Sequence, residues 1–238
     1  MEEIVGDAMG KVRILEANWL ETTVFLNRGG KLEVGRLPEE AQWSPAFGVT
    51  IGDFDGDGNE DVFLAQNFFG VPARTSRSDA GRGLVLKGDG KGGFRALSGE
   101  ESGVKIYGEQ RGSAVGDYGG DGRLDLVVGQ NSGETKLYRN EGGKPGLRVR
   151  LKGPAKNGEG VGAVLRRWDE KEEARGAAKE VHGGAGYWSD DGRVVVMSGE
   201  VKKLGVRWPG GVKEVVSEIP AGAKEVEVDE TGKVQVKR

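Results

Sequence analysis

Nine residues constrain this chain more than any other stretch. In Asp53-Phe54-Asp55-Gly56-Asp57-Gly58-Asn59-Glu60-Asp61 the aspartates fall at positions 1, 3, 5 and 9, and the loop runs directly into the apolar segment Val62-Phe63-Leu64-Ala65. Carboxylates crowded on a tight loop repel one another strongly in the absence of a cation. Calcium takes six to eight hard oxygen ligands at about 2.3–2.6 Å, and alternate side chains on such a loop supply them. Gly58 at position 6 permits the sharp turn, and Asn59 at position 7 offers its backbone carbonyl. This is the ligand spacing of the first nine positions of an EF-hand loop, but position 12 is Leu64 instead of the bidentate glutamate. The loop also leads into a strand instead of a helix. The expectation is a β-type calcium loop with Asp53, Asp55, Asp57, Asn59 and Asp61 as ligands, closed by further oxygens or water. Magnesium fits less well, since it keeps its waters and demands octahedral geometry.

A second copy follows at Asp117-Tyr118-Gly119-Gly120-Asp121-Gly122-Arg123-Leu124-Asp125, again entering a strand, Leu126-Val127-Val128-Gly129. Here Asp117, Asp121 and Asp125 keep positions 1, 5 and 9, Arg123 stands at position 7, and Gly119 replaces the carboxylate at position 3. Asp117, Asp121, Arg123 and Asp125 form a second, weaker candidate site. A plan of acidic loop, apolar strand, second strand and glycine turn links these segments. After the first loop come Leu84-Val85-Leu86 and the turn Gly88-Asp89-Gly90-Lys91-Gly92-Gly93; after the second come Lys136-Leu137-Tyr138 and Asn140-Glu141-Gly142-Gly143. A decayed version shows Val12-Arg13-Ile14-Leu15, Val24-Phe25-Leu26 and Asn27-Arg28-Gly29-Gly30, with Asp7 alone near the expected loop and no site there. Short strands repeated between glycine turns read as blades of a β-propeller over residues 1–145, with blades at about 1–46, 47–110 and 111–145. The middle blade carries an insertion near residues 67–83. Periodicity alone also permits a sandwich. The 44 glycines show no Gly-X-Y period, which excludes collagen and fits turn-rich β structure.

From Leu147 the chain alternates in strand fashion without acidic loops. Strands are expected at Leu147–Leu151, Gly162–Trp168, Ala178–His182, Arg193–Met197, Lys203–Trp208, Val212–Val216, Lys224–Val228 and Lys233–Lys237, with Pro209-Gly210-Gly211 as a turn. Residues 146–238 thus read as a small antiparallel β-barrel or sandwich, and the whole chain as all-β.

A net charge of −3 gives no electrostatic footprint for nucleic acid. Lys171-Glu172-Glu173 reads as a solvated loop. Without cysteine there are no disulfides, thiolate metal sites or thiol nucleophiles. No apolar run reaches the roughly 18 residues of a membrane span. Met1-Glu2-Glu3-Ile4 shows no secretory leader, so the sequence reads as cytoplasmic or as one whose leader has been removed. His182 is the single histidine. Ser189, Asp190 and Asp191 are its sequence neighbours, yet no Gly-x-Ser-x-Gly elbow occurs, and the clustered aspartates are already explained by calcium. A binding protein is therefore favoured over an enzyme, with a hydrolase of esters, glycosides or peptides as the alternative. Trp168, Trp188 and Trp208 are expected in the core, and Phe68-Phe69 at an exposed contact.

The first loop together with Val62-Phe63-Leu64 resembles an FG-GAP/VCBS repeat, and Gly116-Asp117 to Asp125-Leu126-Val127-Val128 is a weaker copy. The C-terminal part is similar to the ASPIC/UnbV domain through Leu147–Leu151, Gly160-Val161-Gly162-Ala163-Val164, Glu180-Val181 with Gly184-Ala185-Gly186-Tyr187, and Val206-Arg207-Trp208-Pro209-Gly210-Gly211. Together they resemble the cartilage-acidic-protein-like family. That resemblance implies integrin-like propeller blades with calcium in their loops, an extracellular or cell-envelope location, a protein or glycan ligand, and no established catalysis. Such propellers usually close with about seven blades. Three segments leave an open sheet edge, which self-association or packing against residues after Leu147 would cover.

Overall fold

Both aspartate loops are the corners of antiparallel hairpins. Strand β3 (Ala46–Gly52) pairs with β4 (Asp61–Gln66), with Gly52 opposite Asp61, and β7 (Glu109–Gly116) pairs with β8 (Asp125–Asn131), with Gly116 opposite Asp125. This is a computed structural model, and it describes residues 6–13, 15–169 and 173–237. It is all-β, and the blades are arranged as in a propeller. The first blade-like sheet adds β5 (Leu84–Gly88) and β6 (Phe94–Leu97) in the order β3-β4-β5-β6, and the second adds β9 (Lys136–Tyr138) in the order β7-β8-β9. A short capped helix, α1 (Gly99–Ser102), leads from one to the other.

The two sheets meet through their first strands. A Cβ on Gly48 would lie 2.6 Å from the Arg111 backbone oxygen, so β3 and β7 approach too closely for a side chain there. The hydroxyls of Thr50 and Ser113, both buried, hydrogen-bond at 2.5 Å across the same contact. Phe63, Ala65, Val85, Val104, Ile106, Val115, Leu126 and Val128 form one shared core beneath them. These first strands precede the loops and are absent from the sequence-based plan. Gly48, Thr50 and Ser113 are small where the two strands meet, as the close approach requires.

In the N-terminal segment β1 (Thr23–Arg28) and β2 (Lys31–Arg36) form a separate hairpin, turning at Gly29 and Gly30 as expected. Val12, Arg13 and Leu15 lie outside any strand, and Ile14 falls outside the described residues. The hairpin touches the middle blade where the Arg28 guanidinium donates to the Lys91 carbonyl. Phe25, Leu32 and Val34 remain exposed.

All eight strands expected after Leu147 are present. They build two sheets, β13-β10-β16-β17 and β12-β11-β14-β15. The strands are β10 (Leu147–Lys152), β11 (Val164–Trp168), β12 (Ala174–Glu180), β13 (Val195–Met197), β14 (Lys203–Arg207), β15 (Val215–Glu218), β16 (Glu225–Asp229) and β17 (Val234–Val236). One core joins both sheets: Val149, Leu151, Leu165, Leu204, Val206, Val226 and Val228. Antiparallel pairing is not universal, because β10 runs parallel to β16. The long crossover between them carries the second sheet, as a parallel pair requires. Lys171 and Glu172 lie outside the described residues. Among the described residues, no helix is long and apolar enough to cross a membrane.

Residues after Leu147 cover the open edge of β7. The Val115 N–H donates to Asp191 Oδ1, and the Gly192 N–H returns a hydrogen bond to the Val115 carbonyl. The connecting segment is tied to both acidic loops, Lys144 N–H to the Asp55 carbonyl and Gly146 N–H to the Gly122 carbonyl. Arg148 completes the junction. Its guanidinium reaches Asp117 at 2.6 Å and also pairs with Glu225, and the side chains are 9% exposed for Arg148, 0% for Asp117 and 7% for Glu225. Removing Arg148 takes the buried Asp117 away from its cation and leaves buried Glu225 with Arg150, which is far more costly than losing a surface pair. Arg148→Ala is expected to lower unfolding stability in urea by about 3–5 kcal/mol. Arg150→Ala, at a pair whose arginine is half exposed, should cost about 1 kcal/mol or less. Equal losses in the two variants would show that the buried pairing does not hold the halves together.

Candidate metal centre

The first loop is folded by its own carboxylates. Asp53 Oδ1 accepts the N–H groups of Gly56 and Asp57, and its Oδ2 accepts that of Gly58. Asp55 accepts from Asp57 N–H, and Asp57 from Asn59 N–H. Gly58 takes φ = 94°, a left-handed conformation that glycine adopts without penalty. Asp61, only 2% exposed, closes the loop: Oδ2 accepts the Phe54 N–H and Oδ1 accepts the Gly88 N–H at the end of β5.

These bonds bring three of the five expected ligands together. One carboxylate oxygen from each of Asp53, Asp55 and Asp61 lies within 4.8 Å of the other two. Asp53 Oδ1 accepts two N–H groups, but Asp53 Oδ2 and both Asp61 oxygens accept one each and keep a second lone pair. A buried cluster of three carboxylates can hold a metal ion, and an all-oxygen set suits a hard cation. Asp57 lies outside this convergence of carboxylates. Asp57 instead joins Asp55 through a residue that sequence reasoning missed. The Lys87 ammonium, on β5, contacts Asp55 and lies 3.1 Å from Asp57 Oδ2. Lys87 follows the apolar run Leu84-Val85-Leu86, and only the pairing of β4 with β5 aims it at the loop. Asp57 is held below the usual carboxylate range: burial opposes its ionisation, but the Asn59 N–H and the Lys87 ammonium outweigh it.

The second loop repeats the backbone and changes the charges. Asp117 accepts the N–H groups of Asp121 and Gly122, and Gly122 takes φ = 83°, as Gly58 does at the same position. Asp125 matches Asp61, accepting from the Gly119 and Asn140 N–H groups. Here the neighbouring cations are arginines. Arg148 binds Asp117, while Arg123 lies 3.1 Å and Arg139 3.6 Å from Asp121 Oδ2. Arg123 Nε also donates to the Gly143 carbonyl. Asp117, Asp121 and Asp125 therefore share a loop, but among the described residues the only three-carboxylate convergence is that of Asp53, Asp55 and Asp61.

The remaining candidates fall apart in space or change role. His182 is exposed just beyond β12, and Ser189 donates its hydroxyl to the Tyr187 carbonyl. Trp168 and Trp208 are partly buried as expected, Trp168 donating its indole N–H to Glu214 and Trp208 packing on the C-terminal core. Trp188 overturns the expectation, being 93% exposed. Phe68 and Phe69 are half-buried, with Phe68 against Phe47 and Phe69 beneath Arg77, because the inserted segment folds back over them through a bridge to Ser78. Scanned against models of known families, the sequence matches none, and a search of curated proteins finds no significant relative.

Burial pushes the Asp61 carboxyl up to about 6, with the nearby Asp55 and Asp53 charges adding to the shift against the two backbone N–H groups. The folded chain thus holds this proton more tightly than the unfolded chain does. Its contribution to stability is complete at low pH and is lost as the pH rises from about 4 through 6. In metal-stripped buffer the stability of wild type should therefore fall across that window more steeply than that of Asp61→Asn. Parallel profiles in urea titrations would remove Asp61 as the source.

Proposed function

We propose that this chain is a calcium-binding, non-catalytic module for ligand binding or adhesion, of the FG-GAP/VCBS type with an ASPIC/UnbV-like C-terminal part. The convergence of Asp53, Asp55 and Asp61 within one self-folded loop carries the reading. A cation there offsets the burial and the neighbouring charges that disfavour the Asp61 carboxylate, and an all-oxygen, flexible loop suits calcium better than magnesium. Asp57 and Asn59 join the set by a small local rearrangement once the ion displaces Lys87. The second loop is a weaker site, since arginines already neutralise it. An extracellular or cell-envelope location accords with this reading.

Calcium bound only to the folded state stabilises it by RT ln(1 + [L]/Kd), about 2.7 kcal/mol at a hundredfold excess over Kd. Calcium should raise the melting temperature and EDTA should reverse the rise. Asp55→Ala should abolish most of that rise and Asp121→Ala much less. An unmoved wild-type melting curve in metal-stripped buffer would reduce the loop to a turn, and the reverse order of the two variants would move the site to the second loop.

Lys87 gives a test with two signs. Without metal its ammonium offsets the charges of Asp55 and Asp57, so Lys87→Gln should melt lower than wild type. With calcium the same ammonium is a competitor, and the variant should bind calcium several-fold more tightly by isothermal titration, as expected for losing roughly 1 kcal/mol of like-charge repulsion. Weaker calcium binding in Lys87→Gln contradicts the competition.

A further inference from the structure

Strain and exposure coincide away from the acidic loops. Among the described residues, three non-glycine residues have positive φ: Asn67 at 89°, Ser132 at 56° and Trp188 at 48°. A bulky residue in the left-handed region is a true outlier, and such residues persist where surrounding structure enforces them, often at ligand sites. One of the three lines a groove, and the other two adjoin residues that line it. Trp188 lines it directly, Ser132 follows Asn131 in its wall, and the Asn67 carbonyl holds the Arg111 guanidinium that forms its floor.

The groove, of about 660 Å³, lies between the start of the second loop-bearing hairpin and the Tyr187–Asp190 segment of the C-terminal part. That volume is within the roughly 300–1,000 Å³ of small-molecule sites. Its shape depends on Gly112, where an added Cβ would lie 2.5 Å from Ser189 Oγ and 2.6 Å from the Tyr187 carbonyl. Gly112 falls within the irregularity of β7 between Gln110 and Ser113, the kind of bulge that re-aims side chains beside functional sites. The floor is rigid. Arg111 lies 3.9 Å over the Phe47 ring, Tyr187 packs edge-on against the same ring, and buried Glu109 binds Arg111 and fixes the Asn131 amide at 2.6 Å. Gln130 is fixed likewise, donating to the Glu134 carbonyl. Each amide donates one N–H to the protein in this way, and its carbonyl oxygen is an acceptor.

We propose that this groove is a carbohydrate site, with the Trp188 indole as stacking platform and Asn131 and Gln130 as hydroxyl acceptors. The groove pairs one flat, almost fully exposed aromatic face with fixed amides, and its only aliphatic side chains are the small Ala114 and Val127. A peptide anchor needs a deep apolar pocket, which is absent from this groove; a sugar needs one apolar face and a ring of hydrogen-bond partners. This gives the binding module a ligand class and rests on that reading, yet it stands on residues remote from the aspartates, so the two fail separately.

Cellohexaose, xylohexaose, mannohexaose and chitohexaose are titrated into the full chain, with calcium and with EDTA, following tryptophan fluorescence and heat. At least one should bind with Kd below about 1 mM. Trp188→Asn, which tolerates the left-handed backbone, should weaken it at least tenfold, the scale of one lost stacking contact, with an unchanged or higher melting temperature. Asn131→Ala should weaken it several-fold, and Trp43→Ala, at an exposed tryptophan outside the groove, should leave it unchanged. Binding that persists in EDTA upholds the groove and separates it from the acidic loop. The proposal is overturned if none of the four sugars binds at that level, if Trp188→Asn binds as tightly as wild type, or if Trp188→Asn melts lower, which would make the indole a packing group.

Discussion

A buried aspartate at the ninth position of each loop ties that loop into its own blade. Asp61 and Asp125 each accept one N–H from the start of their own loop and one from beyond the following strand, at Gly88 and Asn140. A carboxylate can accept at both oxygens at once, so one side chain fixes the loop's entry, its exit and the next turn. The cost is a charge in a desolvated place, visible in the raised pKa of Asp61. Everything else in the loops serves to offset that charge. Glycines open the turn so that backbone N–H groups point inward, and cations gather around the remaining carboxylates.

The two loops offset the charge by different routes. In the first, the nearest cation is Lys87, a flexible ammonium bridging Asp55 and Asp57 at a partly exposed rim. Such a group makes single-point contacts and leaves readily. In the second, Arg148 is buried, bound to Asp117 and Glu225 together, and it belongs to the first strand of the C-terminal part. A planar guanidinium shared by two buried carboxylates is a fixture, not an exchangeable guest. The same loop backbone thus carries a carboxylate cluster that could hold a metal ion in one blade and forms a structural joint in the next. The missing carboxylate at Gly119 is of a piece with this. A joint already neutralised by arginine has no use for another ligand.

What the sequence displayed was whatever depends on local chemistry. The aspartate spacing, the glycine turns and the alternating strands after Leu147 are local, and they are present at the expected places. The first strands β3 and β7 were not legible, because their small and polar residues answer to each other across a contact 63 residues apart in the chain at Thr50 and Ser113. Lys87 was hidden for the same reason: strand register, not spacing, brings it to the loop. Val12-Arg13-Ile14-Leu15 misled in the opposite sense, since an apolar run becomes a strand only where a partner edge is available. Trp188 was assigned to the core on average behaviour, which a left-handed backbone at a segment junction overrides.

The glycines show how closely cation site, joint and groove are connected. Gly112 lets the Tyr187–Asp190 segment lie on β7, and three residues further on Val115 bonds to Asp191 and Gly192. Two residues beyond that is Asp117, the first residue of the arginine-locked loop. One strand therefore carries the groove wall at its start, the cover of its own open edge in its middle and the joint at its end. Asp55 belongs to the neighbouring blade, which meets the second one through the β3–β7 contact and through the Lys144 N–H on the Asp55 carbonyl. The groove and the joint thus adjoin a single strand, whereas the first acidic loop is linked to the second blade through several contacts, among them the Thr50–Ser113, Asn140–Phe54 and Lys144–Asp55 hydrogen bonds. The second loop, which lacks the position-3 carboxylate, is therefore the one that directly follows the strand lining the groove.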